Sequence, residues 1–186
     1  MEPREIKENR IAKILVPLLI IIAVFFVWML KNKPISQAEI TVSEENPDFL
    51  LEASADFELE KLFEYELPVI LDFGASWCGP CQIMKPTMVK LNESLRGQAI
   101  IKYVDVDELP EFTANFPVTV VPTQFFYMAD GTPYDPGESA HVELLTYKRA
   151  DTGEHALTAH EGYLDEQALL IILKEMGLEL LSGTGQ

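Results

Sequence analysis

PVILDFGASWCGPC, residues 68–81, is the stretch on which the reading of the whole chain turns. Residues 69–73 are apolar on both faces apart from Asp72. Such a run reads as a strand covered on both sides, as in a parallel or mixed sheet with helices above and below. Cys78 and Cys81 follow it, and the chain has no other cysteine. Their spacing is just under one helical turn, so with Cys78 at a helix start the two sulfurs share a face and can open or close a disulfide. The pair is a candidate redox switch. A purely structural bridge and half of a zinc site remain the other uses of this spacing, although so short a bridge constrains the unfolded chain little.

Upstream, residues 49–52 could form a first strand, and Phe57, Leu59, Leu62 and Phe63 recur at helical spacing until Pro68 stops the pattern. Downstream, Met84, Met88, Leu91 and Leu95 mark one face of a helix that Gly97 can end. Residues 100–106 read as a strand, 110–116 as a short helix, and 123–128 as a strand that follows Val121-Pro122 and runs into the turn Asp130-Gly131. A loop is expected over 133–140, then strands over 142–147 and 156–160 with a turn at 149–153 between them. Asp165 can cap a last helix with Leu169, Leu170, Ile172, Leu173 and Met176 turned inward and Gly177 at its end. This alternation implies an α/β sheet with crossovers.

The strand ending Asp72-Phe73-Gly74-Ala75, the Trp77-Cys78-Gly79-Pro80-Cys81 motif, Pro86 within the next helix and the later Val121-Pro122-Thr123 together resemble the thioredoxin family over about residues 49–177. The resemblance implies a thioredoxin-like three-layer α/β fold with a central mixed sheet, and a thiol-disulfide oxidoreductase that needs no cofactor. Cys78, at the helix start where free backbone N–H groups favour a thiolate, is the expected nucleophile; Cys81, deeper in the helix, is the expected resolving thiol. Asp72, buried without a cation, should have a raised pKa and suit a general base for Cys81, the role the family position carries; a solvent-facing carboxylate at a strand edge is the alternative. By resemblance Pro122 should be a cis-proline facing the disulfide, the Val121 backbone should pair with an extended substrate peptide, and Trp77 should form an apolar lip of that groove, unless it is a core aromatic.

Gly79 and Pro80 tune the redox poise, and this pair is the one thioredoxins carry, which by resemblance suggests a reductant. An enzyme that introduces or shuffles disulfides, and a binding module without turnover, remain as alternatives. Gly74 departs from the family, which often has a tryptophan there, and should open the surface beside the active site. The stretch 133–153 is extra relative to the simplest thioredoxins and should add a loop or strand at the sheet edge, either for partner recognition or as decoration. Lys85 reads as a solvated residue, and His141, His155 and His160 as exposed histidines; no metal site is expected.

Lys and Arg number 14 against 30 Asp and Glu, a net charge of -16, which argues against sequence-independent nucleic-acid binding. The charge is uneven: residues 1–33 hold six basic and three acidic side chains, and the rest eight and 27. Residues 14–30, ILVPLLIIIAVFFVWML, are uncharged and read as a transmembrane signal anchor, with Trp28 near the interface. Four Lys or Arg before the run and two after it favour a cytoplasmic N-terminus. A signal peptide cut after Ser36-Gln37-Ala38 is the competing reading, for which the apolar run is long.

The expected organisation is a cytoplasmic segment 1–13, a transmembrane helix 14–30, a tether 31–47, a thioredoxin-like domain 48–178 and a tail 179–186. The domain would then face an extracytoplasmic space such as a bacterial periplasm. Disulfide-containing client proteins, among them by resemblance cytochrome c maturation factors or misoxidised envelope proteins, and a membrane electron-donor protein are the expected partners.

Overall fold

The computed structural model describes residues 46–137 and 142–178. The expected membrane helix 14–30, the segment before it, nearly all of the tether, the tail and His141 lie outside the described residues. Among the described residues no helix is long and apolar enough to cross a membrane.

The chain enters through a 3-10 turn, Pro47–Phe49, whose first free N–H, that of Asp48, is taken by the Asn46 side chain. The strand expected at 49–52 is reduced here to one parallel bridge, Glu52 with Tyr103. The physical reason is local: proline fixes the backbone at the start of the turn, and the Lys102 ammonium takes the carbonyls of Pro47 and Leu50, at 2.7 and 2.6 Å. Phe49 instead drops its ring into the core against Tyr65, with centroids 4.8 Å apart.

Helix α1, Leu59–Phe63, buries Leu59 and Leu62. Strand β1, Val69–Gly74, is buried throughout and leads into helix α2, Gly79–Ser94, which continues through Pro86. Strand β2, Ile100–Asp105, helix α3, Pro110–Thr113, and strand β3, Thr123–Tyr127, follow. Strands β4, Leu145–Lys148, and β5, His155–Glu161, precede helix α4, Glu166–Glu175, which Asp165 caps through Ala168 N–H. The last helix thus starts and buries Leu169, Ile172, Leu173 and Met176 as its periodicity requires.

The five strands lie in the order β2-β1-β3-β5-β4, with β1 and β2 parallel and the other neighbours antiparallel. Side chains alternate across β1, so Ile70 joins Met84, Met88 and Leu91 of α2 and Leu169 and Ile172 of α4 on one face. Val69, Leu71 and Phe73 join Leu59, Leu62 and the half-buried Phe112 on the other. The result is a three-layer α/β fold around a mixed sheet. Strand β4 is the outer edge that the stretch 133–153 was expected to supply, but it begins three residues later than the periodicity suggests. The Glu143 carbonyl is taken by the His160 ring at 2.9 Å, and Val142 and Leu144 pack inward instead of pairing.

Candidate functional site

Strand β1 ends in the parallel pairing Gly74 with Asp105, and four residues later Cys78 forms the N-cap of α2. Its extended backbone lets the side chain turn back over the first helical turn, where Sγ accepts the Cys81 N–H at 3.2 Å. A backbone donor at a helix N-terminus stabilises negative charge on that sulfur once the bridge is opened. The two cysteines form a disulfide, with Cα atoms 5.3 Å apart. Both are buried, at 4% and 2% exposure, while Ser76, Trp77, Gly79 and Pro80 around them are exposed. Ala75, Val106 and Val121 wall the sulfurs.

Trp77 is 68% exposed, and its indole Nε1–H donates to Asp107 Oδ2 at 2.7 Å. A core aromatic is excluded. The Val121–Pro122 peptide bond is cis, and the Val121 carbonyl lies 3.5 Å from Cys78 Sγ, so the loop before β3 faces the disulfide. Pro86 sits exposed inside α2, where it has no N–H to give to the helix.

Asp72 is 1% exposed and points from β1 toward α2, on the same face as Ile70. Burial pushes its carboxyl up from the ordinary 3.8 to about 7, against a smaller opposing effect of a hydrogen bond from Gln124. The solvent-facing alternative is excluded. Gln124, directly opposite Asp72 in the β1–β3 register, donates Nε2–H to Asp72 Oδ1 at 2.9 Å and to the Gly162 carbonyl at 3.2 Å. The same nitrogen lies 3.7 Å from the sulfur of Met84, which follows Cys81 by three residues on the buried face of α2. The acid therefore lies beneath the helix that carries Cys81.

Gly74 does not open the surface as expected. A Cβ at Gly74 would stand 2.6 to 2.9 Å from the Tyr103 ring, so the phenol of Tyr103 fills the space beside the disulfide and would have to shift for any larger residue there. Lys85 is not simply solvated: Nζ pairs with Glu52 Oε1 at 2.8 Å and stands 4.6 Å from the centre of the Tyr103 ring. His155 and His160 lie on β5, the first bonded to Thr158 Oγ1 and the second to the Glu143 carbonyl. No group of three His, Cys, Asp or Glu among the described residues could hold a metal ion.

Gln124 is the site residue that sequence reasoning missed. One polar side chain near the start of an apolar strand carries no spacing signal, and its link to Asp72, 52 positions away, exists only through the β1–β3 pairing.

Comparison with known proteins agrees with this geometry. The thioredoxin family model matches residues 49–146. A thioredoxin of Alicyclobacillus acidocaldarius subsp. acidocaldarius is 30% identical, covering 48% of this chain and 90% of that one. An H-type thioredoxin of Oryza sativa subsp. indica is 39% identical over 58% of this chain and 80% of its own length. The solved structure of a mutant thioredoxin from Halobacterium salinarum NRC-1 superposes with a TM-score of 0.51 at 27% identity, covering 73% of this chain and 96% of that one. With its Cys78–Cys81 pair at a helix start, beside a cis-proline and above a buried acid, the chain belongs to the thioredoxin family and is a thiol-disulfide oxidoreductase.

Proposed function

We propose that the chain is a membrane-tethered reductase of disulfides in extracytoplasmic proteins. The observation that carries the reductive reading is Asp72, a carboxyl group held near neutrality beneath the helix of Cys81. In the reduced protein, Cys78 thiolate attacks a client disulfide, forming a mixed disulfide and releasing one client thiolate. Asp72 then takes the proton from Cys81, whose thiolate attacks Cys78 Sγ. The Cys78–Cys81 bond forms, the Cys78–client bond breaks, and the second client thiolate leaves to be protonated by solvent. Two electrons pass to the client. Exposed Trp77, Ile83 and Val120 offer an apolar rim for an extended peptide, and the Val121 backbone is the edge with which that peptide would pair.

Gly79 and Pro80, with no histidine between the cysteines, support the reducing direction. The uncharged run 14–30, with basic residues on both sides, supports the anchor and the extracytoplasmic placement. In an oxidising compartment the dithiol would need a membrane electron donor to restore it.

The test is the full chain carrying Cys81→Ser, expressed in cells and isolated with its mixed disulfides intact. Trapped extracytoplasmic clients, abolished by adding Cys78→Ser, are the expected result. A Cys78–Cys81 potential near that of thioredoxins, about -270 mV, is expected alongside; one near about -120 mV, as in strong oxidants, would reverse the direction.

A further inference from the structure

We infer that Gln124 is the positioning residue for Asp72: its amide, anchored on the Gly162 carbonyl, holds the carboxyl group and sets the pH range over which it can take the Cys81 proton. The inference rests on the reading of Asp72 as general base given above.

Gln124 is fully buried in a strand whose every residue is buried, where an apolar side chain of similar size would pack without desolvation. Its placement therefore needs a reason beyond packing. Both hydrogens of the amide have acceptors, Asp72 Oδ1 at 2.9 Å and the Gly162 carbonyl at 3.2 Å. This fixes which way the amide faces, because turning it over would set Oε1 against two acceptors. The anchor is itself specified, since Gly162 has φ +112°, a conformation that side chains rarely adopt. The bond spans directly paired residues of β1 and β3, so the sheet register holds donor and acid together.

Other titratable groups face the same region without supplying a bond to the acid. Tyr103 lies opposite Asp72 on β2, His160 lies opposite Gln124 on β5, and α2 carries Cys81 and Lys85. Lys85 is engaged with Glu52 and the Tyr103 ring, and His160 with the Glu143 carbonyl. Asp72 Oδ2 has no protein partner among the described residues. Gln124 is thus the side chain through which the fold can bias the charged form of Asp72 against the effect of burial.

The experiment compares the full chain with Gln124→Met and Gln124→Glu, each also in an Asp72→Asn background. The Asp72 titration midpoint is followed by carbon NMR of its labelled carboxyl group, and single-turnover reduction of a disulfide peptide is followed across pH. Removing the donor in Gln124→Met should raise the midpoint on the order of one pH unit and slow reduction at pH 7 about five-fold. The second carboxyl group of Gln124→Glu should also raise it, and either variant alone suffices if the other does not fold. In the Asp72→Asn background the rate profiles should coincide. An unchanged midpoint, or the same rate change with and without Asp72, overturns the inference. If the parent reduces no disulfide, the proposed function fails, while the NMR midpoint still decides the role of Gln124.

Discussion

Asp72 is a carboxyl group that burial holds in the proton-binding form, and that has a consequence for stability as well as for chemistry. Its value is 3.8 in ordinary surroundings and about 7 in the fold. Between those values the folded chain keeps a proton that the unfolded chain gives up, so the favourable contribution is complete below pH 3.8 and lost as pH rises through 7. Above that range the ionised acid disfavours folding by on the order of 4 kcal/mol. Asp72→Asn keeps an oxygen for the Gln124 donor and removes the titration. Its melting temperature should exceed the parent's by several degrees at pH 8, and the gap should close by about pH 4. Thermal unfolding at the two pH values checks this, and an equal gap at both would show that ionisation is not the cause. On the proposed mechanism, in which Asp72 takes the Cys81 proton, reduction should slow in the same variant. Asp72 was legible in the sequence as the one ionisable residue of an apolar strand. Tyr103 was not, because its filling of the space over Gly74 depends on how β1 and β2 lie side by side.

At the scale of elements, the sequence pattern locates what is periodic and misses what is tied by a distant side chain. Helix α2 was readable from Met84, Met88, Leu91 and Leu95, all buried as that spacing requires, and α4 from its Asp165 cap. The segment 49–52 misled, since its apolar residues suit a strand while the buried lysine of β2 captures the carbonyls of Pro47 and Leu50. Lys102 is 1% exposed; burial lowers its pKa to about 8, and the charges of Asp48 and Glu52 oppose that shift. Its two bonds, with the backbone pair between Tyr103 and residues 51 and 53, hold the entering segment against the sheet. Lys102→Met should fill the volume yet leave the carbonyls of Pro47 and Leu50 unpaired, at roughly 1–3 kcal/mol for each that stays buried. Hydrogen exchange at Ala53 and neighbouring amides should then speed up well beyond any change in α2 or β1, and disulfide reduction should be retained. Uniform acceleration across the chain would mean that Lys102 supports the whole sheet rather than this one segment.

For the molecule as a whole, shape and charge act on different steps. The sheet order sets β1 beside β3, which brings Asp72, the start of α2 and the cis Val121–Pro122 peptide to one end of the fold, so the proposed redox step would draw on interior groups shielded from salt. Encounter with a disulfide peptide depends on net charge, and residues 34–186 hold eight basic side chains against 27 acidic ones. Acids stand at the rim itself: Asp107 holds the Trp77 indole, and Glu161 accepts from Thr119 beside the cis-proline loop. Such a surface attracts cationic clients and repels anionic ones over a distance that salt shortens, from about 30 Å at 0.01 M to about 8 Å at 0.15 M. Two disulfide peptides of equal length and equal reduction potential, one basic and one acidic, separate the two steps. The basic peptide should be reduced faster at low salt, by roughly ten-fold, and the two rates should converge as salt rises, one falling and the other climbing. The rate of mixed-disulfide resolution, measured after encounter, should hardly move with salt for either peptide. Parallel salt dependences for the two peptides would show that the apolar rim around Trp77 and Val120, rather than the acidic body, governs which clients are met first.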